Sequence, residues 1–136
     1  MDIDEAIAFV GEHHRAVLST RRRDGRPQLT PVVVAPGPPG TVIVSTRETA
    51  MKVKNIERDP HVSLAVFTDA FFGPHVQLDG EAEILRLPEA MEPLVEYYRS
   101  LSGEHPDWDD YRAAMERDRR VLLRIRVTAA GPDVAG

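Results

Sequence analysis

Apolar residues recur at Ile3, Ala6, Ile7 and Val10, the spacing of a helix with one buried face, and Asp2 and Glu5 stand before it like a capping pair. One short amphipathic helix is predicted from Asp2 to His14. The period then changes. Ala16 to Thr20 and Gln28 to Ala35 read as two strands joined through Arg23-Asp24-Gly25-Arg26, whose Asp-Gly pair favours the positive φ angles of a tight hairpin. Pro36-Gly37-Pro38-Pro39-Gly40 can continue neither helix nor ladder, so the chain turns again before a third strand, Thr41 to Ser45.

Ser45-Thr46-Arg47-Glu48 carries the Ser-x-x-Glu capping spacing, and Ala50, Val53 and Ile56 follow at three-residue intervals until Asp59-Pro60, which predicts a short helix with one buried stripe. His61 to Thr68 alternates Val62, Leu64 and Val66 with Ser63, Ala65 and Phe67, a strand expected to be covered on both faces. After a loop from Asp69 to Pro74, a further strand runs from His75 to Leu85. Its Gly80 marks a bulge or a close backbone approach. Leu87, Met91, Leu94, Val95, Tyr98 and Leu101 outline a second amphipathic helix, regular from Pro93 onward, and Trp108 to Arg117 a third stretch of helix. Arg119 to Val127 is the last strand. Six mostly antiparallel strands with helices at the start and in the second half predict a mainly β fold, a small closed or half-closed barrel with peripheral helices, as one domain over residues 1–136.

Composition narrows the chemistry. A chain without cysteine has no disulfide, thiolate nucleophile or cysteine-ligated metal, so its fold stands on apolar burial, and a cytoplasmic protein is expected. No apolar run approaches the ~18 residues that span a bilayer, and the first residues are acidic where a signal peptide is basic. Seventeen basic against 22 acidic residues give a net charge of −5, the wrong sign for holding nucleic acid by general phosphate attraction. Neither a membrane nor a nucleic-acid partner is expected. His-Glu-x-x-His, Gly-x-Ser-x-Gly and phosphate-loop motifs are absent. His13-His14 reads as a solvated helix end, and Asp107 to Asp110 as a helix cap favoured by the dipole.

One stretch opposes the global charge. Arg47, Lys52, Lys54 and Arg58 crowd four cations around a predicted helix start, where unpaired N–H groups already favour an anion. On charge alone the stretch reads equally as a solvated helix face with Glu48 and Glu57 as its ion-pair partners.

Several ordered blocks decide between these. They are Ala16-Val-Leu-Ser-Thr, Asp24-Gly-Arg-Pro-Gln-Leu-Thr-Pro31, Ser45 to Pro60 with Lys52-Val-Lys-Asn55 and Arg58-Asp-Pro60, Gly80-Glu-Ala82, and Gly103-Glu-His-Pro-Asp-Trp-Asp-Asp-Tyr-Arg112 leading to Asp118-Arg-Arg-Val-Leu-Leu123. Together, from Ala16 through Val127, they resemble the split-barrel flavin-binding family related to pyridoxamine 5′-phosphate oxidase, and specifically its actinobacterial branch that uses the deazaflavin coenzyme F420. The resemblance implies a six-stranded, FMN-binding-like split barrel acting as a homodimer, with the cofactor between subunits. It implies an F420-dependent oxidoreductase that passes hydride from the reduced deazaflavin to an electron-poor C=C or C=N bond of a small planar substrate. The alternatives it leaves are an FMN-dependent reductase or oxidase, and a non-catalytic carrier of a flavin, a deazaflavin or a tetrapyrrole.

Carried onto this chain, the resemblance implies that Thr30, Pro31, Val32 and Val33 lie along the tricyclic ring, with Ser45 and Thr46 near the ring or ribityl chain. Met51 and Lys52 would sit by the phosphate, Lys52 as its main cation, with Asn55 close by. The segment from Phe72 to Val76, with His75 and Val76, would come from the second subunit. Two departures stand out. Gly73-Pro74 occupies a place where relatives often carry a bulkier or aromatic residue. Thr128 to Gly136 lacks the basic and aromatic residues with which vitamin B6 oxidases hold their substrate phosphate, which disfavours pyridoxamine phosphate oxidation.

Overall fold

The computed structural model describes residues 1–132; the last four residues of the Thr128 to Gly136 segment lie outside the described residues. Ten elements follow one another: α1 (Ile3–Glu12), β1 (Arg15–Arg21), β2 (Pro27–Pro36), β3 (Thr41–Arg47), α2 (Met51–Arg58), β4 (His61–Phe67), β5 (His75–Leu85), α3 (Met91–Ser102), α4 (Trp108–Arg117) and β6 (Arg120–Gly131). The strands close into an antiparallel barrel in the order β1-β2-β3-β6-β5-β4. This is the mainly β barrel with peripheral helices that the alternation predicts.

Strand alternation builds the interior. Leu18, Val34, Val44, Leu64, Leu78 and Leu123 point inward and are fully enclosed, and Ala6 and Val10 of α1 with Val53 and Ile56 of α2 pack against the same core. Burying side chains of this size contributes about 1.5–3 kcal/mol each, gross of the entropy of ordering them. A second, smaller core lies outside the barrel wall, where Leu94 of α3 and Ala90 just before it cover Ala35, Ile43 and Leu122. Helix α4 is tied to α3 by the Tyr111 hydroxyl, which donates to the Leu94 carbonyl at 2.8 Å.

Local signals explain the turns. Gly25 has φ 85°, and Asp24 Oδ1 accepts from the Arg26 N–H at 3.0 Å, which closes the β1–β2 hairpin. At Gly80 the β5–β6 register shifts, and a Cβ there would lie 2.4 Å from the Arg126 carbonyl oxygen, so both expectations for this glycine hold. Asp107 caps α4 by accepting from the Asp110 N–H at 3.1 Å.

Beyond shifts of a residue or two at element ends, four features differ from the sequence expectation. The Ser45–Glu48 capping spacing is not used: Ser45, Thr46 and Arg47 stay in β3, paired with Leu122, Val121 and Arg120, and α2 begins at Met51 behind Ala50, which offers no side-chain cap. The ladder with β6 outcompetes the local cap. Helix α3 begins at Met91, because Pro93 falls in the first turn, where its missing N–H has no partner to lose. Strand β6 continues past Val127 to Gly131, alongside Gln77 to Asp79 of β5. Finally, β4 is enclosed on its inner face only; Ser63, Ala65 and Phe67 are half-buried on the outer wall.

Candidate functional site

The barrel is closed unevenly. β2 and β3 pair only at Val34–Val44, Ala35–Ile43 and Pro36–Val42, next to the proline-rich turn, and then part. Beyond Val34, residues Thr30 to Val33 remain bonded to β1, and Ser45 to Arg47 remain bonded to β6, so the facing edges of β2 and β3 are unpaired. A cleft of about 600 Å³ lies there, lined by Arg15, Ala16, Pro31, Val32, Val33, Ser45, Thr46, Lys52, Tyr97 and Arg120. Unpaired strand edges present N–H and C=O groups to whatever enters, which suits a flat ligand with donors and acceptors along one side.

Tyr97 of α3 bridges the parted strands, its hydroxyl donating to the Val33 carbonyl at 2.8 Å. Burial raises its pKa, while the Ser45 backbone and the Arg120 charge pull the other way. At the helix end of the cleft, Lys52 donates to Thr46 Oγ1 at 3.5 Å and has no carboxylate partner among the described residues. Burial, and after it the Arg120 charge, holds the Lys52 ammonium below the ordinary lysine pKa of 10.5. The expected ion-pair partners of the basic stretch are engaged elsewhere: Glu48 and Glu57 both pair with Arg86, at 3.5 and 2.9 Å.

The cleft therefore gathers Pro31, Val32, Val33, Ser45, Thr46 and Lys52, six of the residues named from sequence, on one wall and floor. The others lie elsewhere. Thr30 turns into the barrel wall, its hydroxyl buried without a partner. Met51 is exposed in a neighbouring hollow of about 520 Å³ with Arg22, Arg23, Asp24, Gln28, Asn55 and Arg58. Asn55 is buried, with its amide donating to Thr20 Oγ1 and Gln28 Oε1 and its oxygen accepting from Arg58, so it holds α2 against β1 and β2. His75 is exposed opposite Phe67, and Val76 is enclosed opposite Val66, at the start of β5, and neither lines the cleft.

Sequence reasoning missed four of the lining residues, Arg15, Ala16, Tyr97 and Arg120. Tyr97 joins a strand 64 residues earlier, a relation no local pattern carries. Arg120 stands in a block quoted above, but only the pairing of β6 with β3 places it in the cleft.

The residues present fit a planar, anionic ligand. Lys52 and Arg120, neither with a carboxylate partner among the described residues and the latter with its Nε buried and unpartnered, meet the hydroxyls of Ser45, Thr46 and Tyr97 and two parted strand edges in one hollow. Among the described residues no group of three or more His, Asp and Glu is placed to hold a metal ion, and no helix is long and apolar enough to cross a membrane.

Among solved structures, the chain is similar to a conserved hypothetical protein, Rv2991, from Mycobacterium tuberculosis, with TM-score 0.77 and 26% identity over 100% of this chain and 93% of that one. It is similar to an F420 reductase with TM-score 0.70 and 21% identity, over 91% and 94% of the two chains. It is also similar to HutZ, a heme storage protein from Vibrio cholerae, with TM-score 0.70 and 16% identity, over 96% and 94%. The latter two share the fold. Residues 3–131 match the family model described as pyridoxamine 5′-phosphate oxidase, and this chain, with its uneven barrel and cationic cleft, belongs to that family.

Proposed function

We propose that this chain is an F420-dependent reductase that binds the deazaflavin in the β2–β3 cleft and reduces an electron-poor C=C or C=N bond of a small planar substrate. The observation that carries the proposal is the convergence of Pro31, Val32, Val33, Ser45, Thr46 and Lys52 on one cleft, where Lys52 and Arg120 have no carboxylate partner among the described residues and Arg15 pairs outward with Asp69. When bound, the reduced cofactor supplies a hydride from its C5 carbon. The protein's contribution is placement. Val32 and Val33 offer an apolar strip, Ser45 and Thr46 offer hydroxyls, and Lys52 neutralises the phosphate. Fixing donor and acceptor near contact in this way can account for several kcal/mol of a bimolecular barrier, on the order of 7 or more in the best-oriented cases. No protein nucleophile is required, in keeping with a chain that has no thiol.

The active form in this proposal is a homodimer. Leu29 and Val33 stand 64% and 46% exposed on the outer wall, and Phe71 and Phe72 are 73% and 97% exposed on the β4–β5 loop, apolar surface that a second copy would cover. His75 and Val76, which do not line the cleft of their own chain, would then approach the cleft of the other. The FMN alternative uses the same cleft.

Titration of purified protein with F420 and with FMN, followed by absorbance and fluorescence, separates the two cofactors. Sedimentation gives the subunit number. Tight F420 binding with oxidation of reduced F420 by a panel of enones and quinones is expected. Binding without turnover would make the protein a carrier, and a monomer that binds neither cofactor would end the proposal.

A further inference from the structure

Strand β6 carries an internal control for its own arginines. Arg120, Arg124 and Arg126 share the outward face of the strand with Leu122. Arg124 stands opposite Glu83 of β5 and pairs with it at 2.6 Å; Arg126 stands opposite Glu81 and pairs at 2.7 Å. At position 120 the pattern inverts. Its cross-strand partner on β3 is another arginine, Arg47, and its neighbour in the cleft is Lys52. Like charges set opposite one another in a ladder destabilise it.

Two further observations point outward. Arg120 has no ion pair or side-chain hydrogen bond among the described residues, and its Nε is buried without a partner, although a buried guanidinium donor ordinarily finds one. The chain also reaches this position at a cost in backbone conformation. Arg119 is the one non-glycine residue with positive φ among those described, at 50°, and its carbonyl accepts from the Glu48 N–H at 2.9 Å. That turn seats Arg120 between the end of β3 and the start of α2, where it shares the cleft with Ser45, Tyr97 and Lys52.

We infer that Arg120 is a ligand-binding residue whose missing partner is an oxyanion, a carboxylate or phosphate group additional to the one held by Lys52. The occupant of the cleft therefore presents two anionic groups, or one dianion spanning both cations. The planar fork of a guanidinium matches two oxygens of such a group, which a lysine does not. The cofactor assignment within this inference rests on the proposed function; the oxyanion itself does not.

The test uses pyrophosphate as a two-anion probe at low ionic strength, measured by calorimetry on the intact protein, together with urea unfolding. Arg120→Gln is expected to weaken pyrophosphate binding by about tenfold or more, the loss of a charged hydrogen-bonded contact. Its urea midpoint should stay or rise, because removing the charge relieves Arg47 and Lys52. Arg126→Gln should leave binding unchanged. Unchanged binding in Arg120→Gln, a lowered urea midpoint with normal binding, or no pyrophosphate binding by the unaltered protein would each overturn the inference. Two further measurements assign the oxyanion. Weaker F420 or FMN binding by Arg120→Gln places it on the cofactor. Unchanged cofactor binding, with a raised KM for a carboxylated enone but not for its methyl ester, places it on the substrate. If neither cofactor binds the unaltered protein while pyrophosphate does so through Arg120, the proposed function fails and the oxyanion site stands.

Discussion

The longest and the shortest seams of this barrel are built on opposite rules. Between β5 and β6, nine residue pairs run from Gln77–Gly131 to Leu85–Leu122, interrupted only by the Gly80 bulge, and glutamates answer arginines across the ladder. Between β2 and β3, three pairs form beside a rigid turn and the strands part; at the mouth so opened, Arg120 of β6 stands opposite Arg47 of β3. The first seam satisfies its hydrogen bonds and charges within the chain. The second leaves an edge bridged by Tyr97 and cations without carboxylate partners among the described residues, the surface that the proposed function uses for binding. Stability and binding should therefore respond to different substitutions.

The largest effect is expected on the closed side. Leu78→Ala, a fully buried change on β5, should cost about 2–5 kcal/mol in urea or thermal unfolding through lost contacts and a residual cavity. Cofactor affinity measured well below the new midpoint should be retained.

On the open side the pattern should reverse. Lys52→Ala should weaken cofactor binding by about 10- to 100-fold, as expected for a charged contact of about 1.5–3 kcal/mol, and leave the unfolding midpoint nearly unchanged. Binding that does not change would remove Lys52 from the site. The same residue gives the site a pH limb. Its folded-state pKa lies below 10.5, so in the window between the two values the unfolded chain holds more protons than the folded one. Global stability should rise with pH in that window as the buried charge is lost. Affinity for an anion should fall over the same range, starting below the usual lysine region. Lys52→Arg should abolish that fall.

A smaller effect is expected where the open seam is bridged. Tyr97→Phe removes the hydrogen bond to the Val33 carbonyl, at a cost of about 1 kcal/mol in unfolding experiments. Smallest of all, Arg126→Gln breaks an exposed pair with Glu81 and should shift stability by no more than about 1 kcal/mol. A loss well above that would mean that the closed seam depends on its surface charges more than on its core.

The strands, the hairpin and the α4 cap were legible because period-two alternation and Asp-Gly or Asp-cap chemistry are properties of adjacent residues. The closed β5–β6 ladder and its bulge were foreshadowed by Gly80 for the same reason. Less of the site was legible. Lys52 and Ser45 stand out in a short basic stretch, but the cleft exists because β2 and β3 cease to pair after Val34, and no local sequence feature states how far two strands remain in register. Tyr97 and Arg120 arrive from the second half of the chain and were invisible without that topology. Asn55 shows the converse: the family resemblance implied a place close to the phosphate, and within the folded chain its amide is engaged by Thr20, Gln28 and Arg58.

The Pro36–Gly40 turn acts on the cleft from a distance. Gly37 has no room for a Cβ, which would meet Thr41 Oγ1 at 2.6 Å and Ile43 Cγ2 at 2.8 Å, and Thr41 clasps the Pro38 carbonyl at 2.6 Å. The turn is thus the fixed pivot of a pair of jaws that open from Val33 and Ser45 toward Thr30 and Arg47. Lengthening or softening this pivot would admit a thicker guest between the jaws without altering any residue that touches it.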